Sequence, residues 1–136
     1  MTTLARTLQT RGADLGLLAL RVGTALLVWR FHVVRKLADL GNELRSFPDP
    51  LGIGHAPSLV LALAAEGGCS LLVAIGFATR LMSLPVVFTM LMVLVLAARG
   101  FDGADLQSAL LYALPYVAIA LAGPGHYSLD HRLARR

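Results

Sequence analysis

The segment 15–37, LGLLALRVGTALLVWRFHVVRKL, constrains the fold of this chain more than any other feature. At about 1.5 Å per residue a helix of this length crosses a bilayer. Charged groups are costly inside a span unless they face protein, water or the interface. At about 100° per residue Arg21 and His32 fall within roughly 20° of each other, and Arg30 lies nearly opposite. One side of this helix is therefore predicted to be polar. The ionisable side chains of the segment are Arg21, Arg30, His32, Arg35 and Lys36.

The composition indicates the same environment. Of the 136 residues 57% are hydrophobic and only 15% are charged, and the mean hydropathy is +0.71. Soluble domains have about a quarter of their residues charged, so we expect an integral membrane protein whose main partner is the lipid bilayer. The net charge of +4 is spread over span ends and tails and forms no aromatic-interleaved basic face, so no nucleic-acid partner is predicted.

Apolar stretches of about 20 residues predict four membrane spans. Because irregular backbone cannot face lipid, these stretches are predicted to be helices. The fold class is thus all-α, a multi-pass four-helix bundle with short loops in a single domain of residues 1–136. Only the connection 38–55 is long. The predicted helices cover about 15–37, 56–78, 81–98 and 106–123.

The basic residues near the span ends predict the orientation. When they lie on the cytoplasmic side, both termini are cytoplasmic and the number of spans is even. Arg35 and Lys36 then fall on the outer side, and they reduce the difference in basic residues between the two sides of the membrane. The residues assigned to the cytoplasmic side are Arg6, Arg11, Arg80, Arg132, Arg135 and Arg136.

Glu66 is an isolated charge within the second apolar stretch. Small neighbours let another helix approach closely, so Glu66 is predicted to face a helix and not lipid. In an antiparallel pair with the first helix its depth falls between Arg21 and His32. Two interpretations remain open: an Arg–Glu clamp that fixes the bundle, or a carboxylate that handles protons or a ligand. The small neighbours are Ala62, Ala65, Gly67, Gly68, Cys69 and Ser70.

Few other side chains carry chemistry. Cys69 is the only cysteine, so no disulfide and no cysteine-based metal site is expected. His32 is the only histidine inside a span, and we predict neither a metal site nor an intrinsic cofactor. Tyr112 either adds a hydroxyl to the cavity around Glu66 or serves as packing. The ligand-binding candidates are Arg21, His32, Glu66 and Tyr112; the structural or gating charges are Arg30, Arg35, Lys36 and Arg80.

Several short motifs, in this order and spacing, resemble the DoxX family of small four-helix bacterial membrane proteins. They cover nearly the whole chain, although the family usually has a glycine where this chain has Val33. The resemblance implies a multi-pass protein of the bacterial inner membrane. The motifs are LRVG at 20–23, His32 with Lys36-Leu37, FPDPLGIG at 47–54, Glu66-Gly67, Gly76 with Thr79-Arg80-Leu81, and GPGHYSLD at 123–130.

The resemblance also implies a function. Members include the small subunit of an archaeal thiosulfate:quinone oxidoreductase and mycobacterial membrane complexes linked to redox-stress defence. By analogy this chain is a subunit of a redox-associated complex that binds quinone or another small lipid-soluble molecule, with a partner protein supplying the redox centre. The apolar third helix is expected to face either lipid or a second protomer, so both a monomer and a homo-oligomer stay open. The alternative is a non-enzymatic scaffold or small-solute permease in which the Arg/Glu pair is structural, and catalysis itself stays open.

Overall fold

A computed structural model describes the backbone of residues 3–135 and the side chains of residues 10–135, and all regular structure in this part is helical. The predicted all-α class is therefore confirmed. The side chains of Arg6 and Arg136, on which the predicted orientation partly depends, lie outside the described residues.

Two π-helical segments interrupt the first two apolar stretches without ending them. The first, Trp29–Val33, joins α1 to α2, and the second, Ala64–Cys69, joins α4 to α5. The helices are α1 (Thr3–Val28), α2 (Val34–Ala38), α3 (Leu40–Ser46), α4 (His55–Leu63), α5 (Ser70–Ile75), α6 (Thr79–Ala98), α7 (Leu106–Ala122) and α8 (Leu129–Leu133).

In the part of the chain that the structure describes, three continuous helical runs are long and apolar enough to cross a membrane. We call them span 1 (Thr10–Ala38), span 2 (His55–Ile75) and span 3 (Thr79–Ala98). The apolar helix α7 is shorter, with 17 residues. Length and composition thus fit a membrane protein.

The helix ends follow from local chemistry. Span 2 ends at Gly76, which adopts the left-handed conformation with φ 79°, as glycine does at many helix ends. Helix α7 begins after Asp105, whose carboxylate accepts hydrogen bonds from the backbone N–H groups of Gln107 and Ser108, an N-terminal cap. The short helix α3 in the long connection had no counterpart in the sequence prediction.

The spans and α7 pack around a small apolar core. α6 contacts α7 along its length, and α1 contacts both α5 and α7. Large apolar side chains such as Leu26, Leu61, Leu84 and Leu114 face outward and are more than half exposed, an arrangement suited to lipid contact. The core side chains are Val28, Val73, Val86, Tyr116 and Ile119.

The C-terminal segment 123–133 closes one end of the bundle, which we call the tail end. The backbone N–H of His126 donates to Asp14 Oδ1 at 3.0 Å, and the N–H of Asp130 donates to the carbonyl of Gly76 at 2.9 Å. These contacts bring the beginning of span 1, the end of span 2 and the tail together. The opposite end carries the connections 39–54 and 99–105, and we call it the loop end.

Candidate functional site

A cavity of about 870 Å³ opens at the loop end. Spans 1, 2 and 3, α7 and both loop-end connections contribute to its wall. Its volume falls in the range of about 300–1,000 Å³ that pockets for small organic molecules occupy. Much of the wall is apolar, from Phe31, Phe47, Pro48, Leu61, Pro85, Phe88, Met92, Val93, Leu96 and Phe101.

A buried ion pair between spans 1 and 2 forms part of the wall of this cavity. Glu66 is 0% exposed, and Lys36 donates a hydrogen bond to its Oε2. The other carboxylate oxygen, Oε1, has no hydrogen-bond partner. His32 Nδ1 lies 3.9 Å from Oε1, beyond hydrogen-bond distance. The carboxylate is thus tied to span 1 through one oxygen and left with free acceptor capacity on the other.

Glu66 and His32 both lie on π-helical segments. His32 belongs to the segment of span 1 and Glu66 to that of span 2. π-Helical turns are rare and are frequent at functional sites. Here Trp29 Nε1 donates to the carbonyl of Gly67 at 3.1 Å, so the indole joins one π segment to the other.

Small residues allow the two π segments to approach. A Cβ atom built on Gly67 would lie 3.9 Å from side-chain atoms of Trp29 and Val33. The hydroxyl of Ser70 donates to the carbonyls of Glu66 and Gly67. The prediction that Glu66 faces another helix is therefore confirmed, and Val33, the departure from the family pattern, packs at this contact.

Tyr112 of α7 contacts the same cluster. Its ring meets that of His32 edge-on, with centroids 4.8 Å apart and an interplanar angle of 88°. Tyr112 lines the cavity, whereas Tyr116, one turn further along α7, is fully buried in the core. Three of the four ligand-binding candidates, His32, Glu66 and Tyr112, are thus neighbours.

Arg21 lies elsewhere, and the predicted contact between Arg21 and Glu66 is wrong. Arg21 is fully buried at the tail end, and its Nη2 donates to the carbonyl of Tyr127 at 2.6 Å. It lies beside Gly76, ten residues beyond Glu66, which is about 15 Å along a helix. Lys36 takes the predicted role of Arg21, because its long flexible stem carries the ammonium group into the bundle.

The remaining predicted charges differ in their positions. Arg30 is exposed, with Cζ 5.7 Å from the ring centroid of Phe31. Arg35 is exposed but lines the cavity. Arg80 is exposed at the tail end, where Nη2 approaches the carbonyl of Leu121 at 3.4 Å. The cavity therefore brings together His32, Arg35, Lys36, Glu66 and Tyr112.

The connection 39–54 forms a wall that the sequence did not predict. Asp49 accepts hydrogen bonds from the N–H groups of Ile53 and Gly54, at 2.9 and 2.7 Å, and from the Ser58 hydroxyl at 2.9 Å. The hydrogen bond from Gly54 is the main cause that holds the pKa of Asp49 below its ordinary value. The same loop places Phe47 next to Lys36, with Nζ 5.7 Å from the ring centroid. The FPDPLGIG motif was the signal that this loop has a defined structure.

The site has the chemistry of a binding pocket for a partly polar organic molecule. Among the described residues no three His, Cys, Asp or Glu side chains are grouped so that they could hold a metal ion. The polar groups available to a ligand are an ammonium, a carboxylate, an imidazole and a phenol, set beside apolar and aromatic walls. Such a combination orients a ligand through a few hydrogen bonds and binds the rest of it through apolar contact.

Comparison with known proteins agrees with the motifs. A family model described as DoxX matches residues 16–99. The match contains most of span 1 and all of spans 2 and 3, including the pair Lys36–Glu66. No curated protein and no solved structure matches the chain.

Proposed function

Since the chain belongs to the DoxX family, we propose that it is a membrane subunit of a redox-associated complex and binds quinone, or another small lipid-soluble molecule, in the loop-end cavity. The observation that carries this proposal is the ammonium group of Lys36, which lines the cavity beside apolar walls and can donate a hydrogen bond to a ligand oxygen. A quinone has a flat apolar body with two polar atoms, and it needs such a slot.

The cavity also suits access from the membrane. Phe31, Leu61 and Phe88 line it and are also about half exposed on outward faces of the spans. In a bilayer these faces meet lipid. A lipid-soluble molecule can then reach Glu66 without passing through water.

The proposal includes a topology. The 17 residues of α7 reach about 26 Å, at the short end of what crosses a bilayer. With α7 as the fourth span, both termini lie at the tail end, and we place this end in the cytoplasm of a bacterium, with the loop end on the outer side of the inner membrane. A partner protein then supplies the redox centre, and this chain supplies the binding site.

A second function draws on the ion pair itself. Because the pair joins spans 1 and 2 in the protein interior, its first role can be to fix the bundle. The chain would then be a non-enzymatic scaffold, or a small-solute permease whose path passes Glu66. In that case the cavity takes up no quinone.

Mass spectrometry of the bound organic molecules tests the proposal. The protein is purified in mild detergent, and the organic extract of the wild type is compared with that of Glu66→Gln. The matched control is Asp39→Asn, which removes an exposed carboxylate at the same end of the bundle. We expect stoichiometric quinone in the wild type and in the control, and its loss from folded Glu66→Gln. A wild type that carries no quinone and takes up none when reconstituted with it contradicts the proposal and favours the scaffold.

A further inference from the structure

We propose that the cavity binds the hydroxyl-bearing, reduced form of its ligand, a quinol or a related phenol, in preference to the quinone. This inference rests on the proposed function and names the chemical form that the site selects.

Two groups of the charged cluster are hydrogen-bond acceptors. Glu66 Oε1 is buried and accepts no hydrogen bond, although a buried carboxylate oxygen without a donor is costly. His32 Nδ1 faces this oxygen at 3.9 Å, and it is the ring nitrogen that carries the proton when the neutral imidazole faces a carboxylate. The other ring nitrogen, Nε2, is then an acceptor. Glu66 Oε1 is thus the acceptor of the cluster that lacks a donor, and His32 Nε2 is a second group that can only accept.

The donor is Lys36. Its ammonium group has three N–H bonds, and one of them is directed to Glu66 Oε2. Lys36 lines the cavity together with His32 and Glu66. A ligand oxygen beside Lys36 can therefore accept a hydrogen bond from the ammonium group. The same ligand group must also donate a hydrogen bond to Glu66 Oε1, which lacks a donor.

Only a hydroxyl satisfies both requirements at once. A quinol O–H accepts through its oxygen and donates through its hydrogen, whereas a quinone carbonyl can only accept. A quinone would leave Glu66 Oε1 without a donor and would place its own carbonyl oxygen near the carboxylate. Sites that hydrogen-bond a hydroxyl discriminate strongly against ligands that lack it. We therefore expect a preference for quinol over quinone of about tenfold or more.

Binding measurements with three related ligands test this inference. The wild type in nanodiscs is dialysed anaerobically against a short-chain quinol, the matching quinone and the quinol dimethyl ether, which keeps the oxygens and lacks the donors. We expect the quinol to bind about tenfold tighter than either of the others. Such a ratio raises the two-electron midpoint potential of the bound couple by about 30 mV, which a redox titration measures independently.

Two variants locate the preference. In Glu66→Gln, which is expected to bind both forms too weakly to retain them on purification, affinities are measured at raised ligand concentration. Because the side-chain amide is both donor and acceptor, the ratio of quinol to quinone affinity is expected to fall to about one. His32→Phe keeps an aromatic ring against Tyr112 and removes an acceptor, and it provides the same test if Glu66→Gln does not fold. Asp39→Asn, away from the cluster, is expected to keep the wild-type ratio.

The outcomes separate the two proposals. Equal affinity for quinol and quinone in the wild type, or a full preference that persists in both folded variants, overturns the inference and leaves the proposed quinone site intact. Failure of all three ligands to bind the wild type overturns the proposed function as well.

Discussion

The buried pair between Lys36 and Glu66 is the residue-scale feature with the largest energetic consequence. The side chain of Lys36 is 9% exposed and that of Glu66 is 0% exposed. Removal of one member of such a pair leaves a buried charge without its partner, which typically costs about 3–5 kcal/mol. We expect Lys36→Met to lower the free energy of unfolding by about this amount, and thermal unfolding in detergent measures it.

The double variant distinguishes the pair from two independent residues. Lys36→Met with Glu66→Gln removes both charges, so its loss of stability is expected to be smaller than the sum of the single losses. Arg35→Met is the matched control, because Arg35 is exposed next to Lys36; it is expected to change stability by about 0.5 kcal/mol or less. Additive losses would show that the two side chains do not stabilise each other.

Gly76 is the residue on which the tail end depends. A Cβ atom there would lie 2.5 Å from Ser128 Cβ and 2.9 Å from Ser128 Cα, and it would also collide with Arg21. Its φ of 79° adds about 1–3 kcal/mol of backbone strain for any other residue. We expect Gly76→Ala to destabilise the protein and to expose the tail to limited proteolysis. Gly68→Ala, with no atom within 4 Å of the added methyl group, is the control expected to leave both unchanged.

Residue chemistry alone predicted part of the site. The small side chains around Glu66 indicated a helix contact, and Glu66 is buried against span 1. The choice of Arg21 as its partner was wrong because the relative depth of two helices depends on their tertiary packing, which spacing along the chain does not contain. Residue spacing likewise did not predict that the long side chain of Lys36, at the loop end of span 1, extends to Glu66.

At the scale of elements, the predicted polar side of span 1 is present in the structure, because Arg21 and Lys36 are buried and Arg30 is exposed. The two π segments, whose turns are wider than those of an α-helix, were not predicted. No proline or glycine marks Trp29–Val33, so a search based on a period of 3.6 residues passes over it. The bounds of α7, which begins after Asp105 and ends before Gly123, were predicted to within one residue, because its termination is local. Span 2 ends at Ile75, before the predicted end at residue 78.

Span 3 begins with a cap supplied by a distant residue. The Asp130 carboxylate accepts from the N–H groups of Ala78 and Thr79, at 2.7 and 2.9 Å, and from the Thr79 hydroxyl at 2.9 Å. Loss of a helix cap costs about 1 kcal/mol. We therefore expect Asp130→Asn to lower the thermal midpoint, whereas Asp39→Asn, whose side chain caps no helix, leaves it unchanged.

The pH dependence of this cap has a defined sign. Burial raises the pKa of Asp130, but the hydrogen bonds from Thr79 and Ala78 outweigh it, and the pKa lies below the ordinary value of 3.8. A carboxyl whose pKa is lower in the folded state stabilises fully above its unfolded pKa and loses this contribution as the pH falls through the folded value. The difference in stability between wild type and Asp130→Asn is therefore expected to be constant above pH 3.8 and to shrink below it. A difference that grows on acidification contradicts the cap.

At the scale of the whole molecule, composition and apolar run length predicted the most. They indicated the all-helical class and four apolar spans, three of which correspond to helices long and apolar enough to cross a membrane. The motifs indicated the DoxX family, which the matched region 16–99 confirms. The cavity could not be predicted in the same way, because the loop between spans 1 and 2 that forms part of it has no hydrophobic period to reveal it. The position of the cavity is defined only in the folded structure, where that loop packs next to Lys36 and Glu66.

The proposed topology is a prediction about the whole bundle, and the single native cysteine makes it accessible to labelling. The tail contacts both the start of span 1 and the turn before span 3, so the tail end must face one side of the membrane.

In a Cys69→Ser background, Ser46→Cys and Asp102→Cys report the loop end and Ala134→Cys reports the tail end. With the tail end in the cytoplasm, a membrane-impermeant maleimide should label positions 46 and 102 in intact spheroplasts and position 134 only after permeabilisation. Labelling of positions 46 and 102 from opposite sides would mean that spans 2 and 3, which lie between them in the chain, do not both cross the membrane. Labelling of positions 102 and 134 from the same side would mean that α7, which lies between them, does not cross. The reverse pattern, with position 134 alone labelled from outside, would keep the bundle and invert its orientation, so that the quinone cavity faces the cytoplasm.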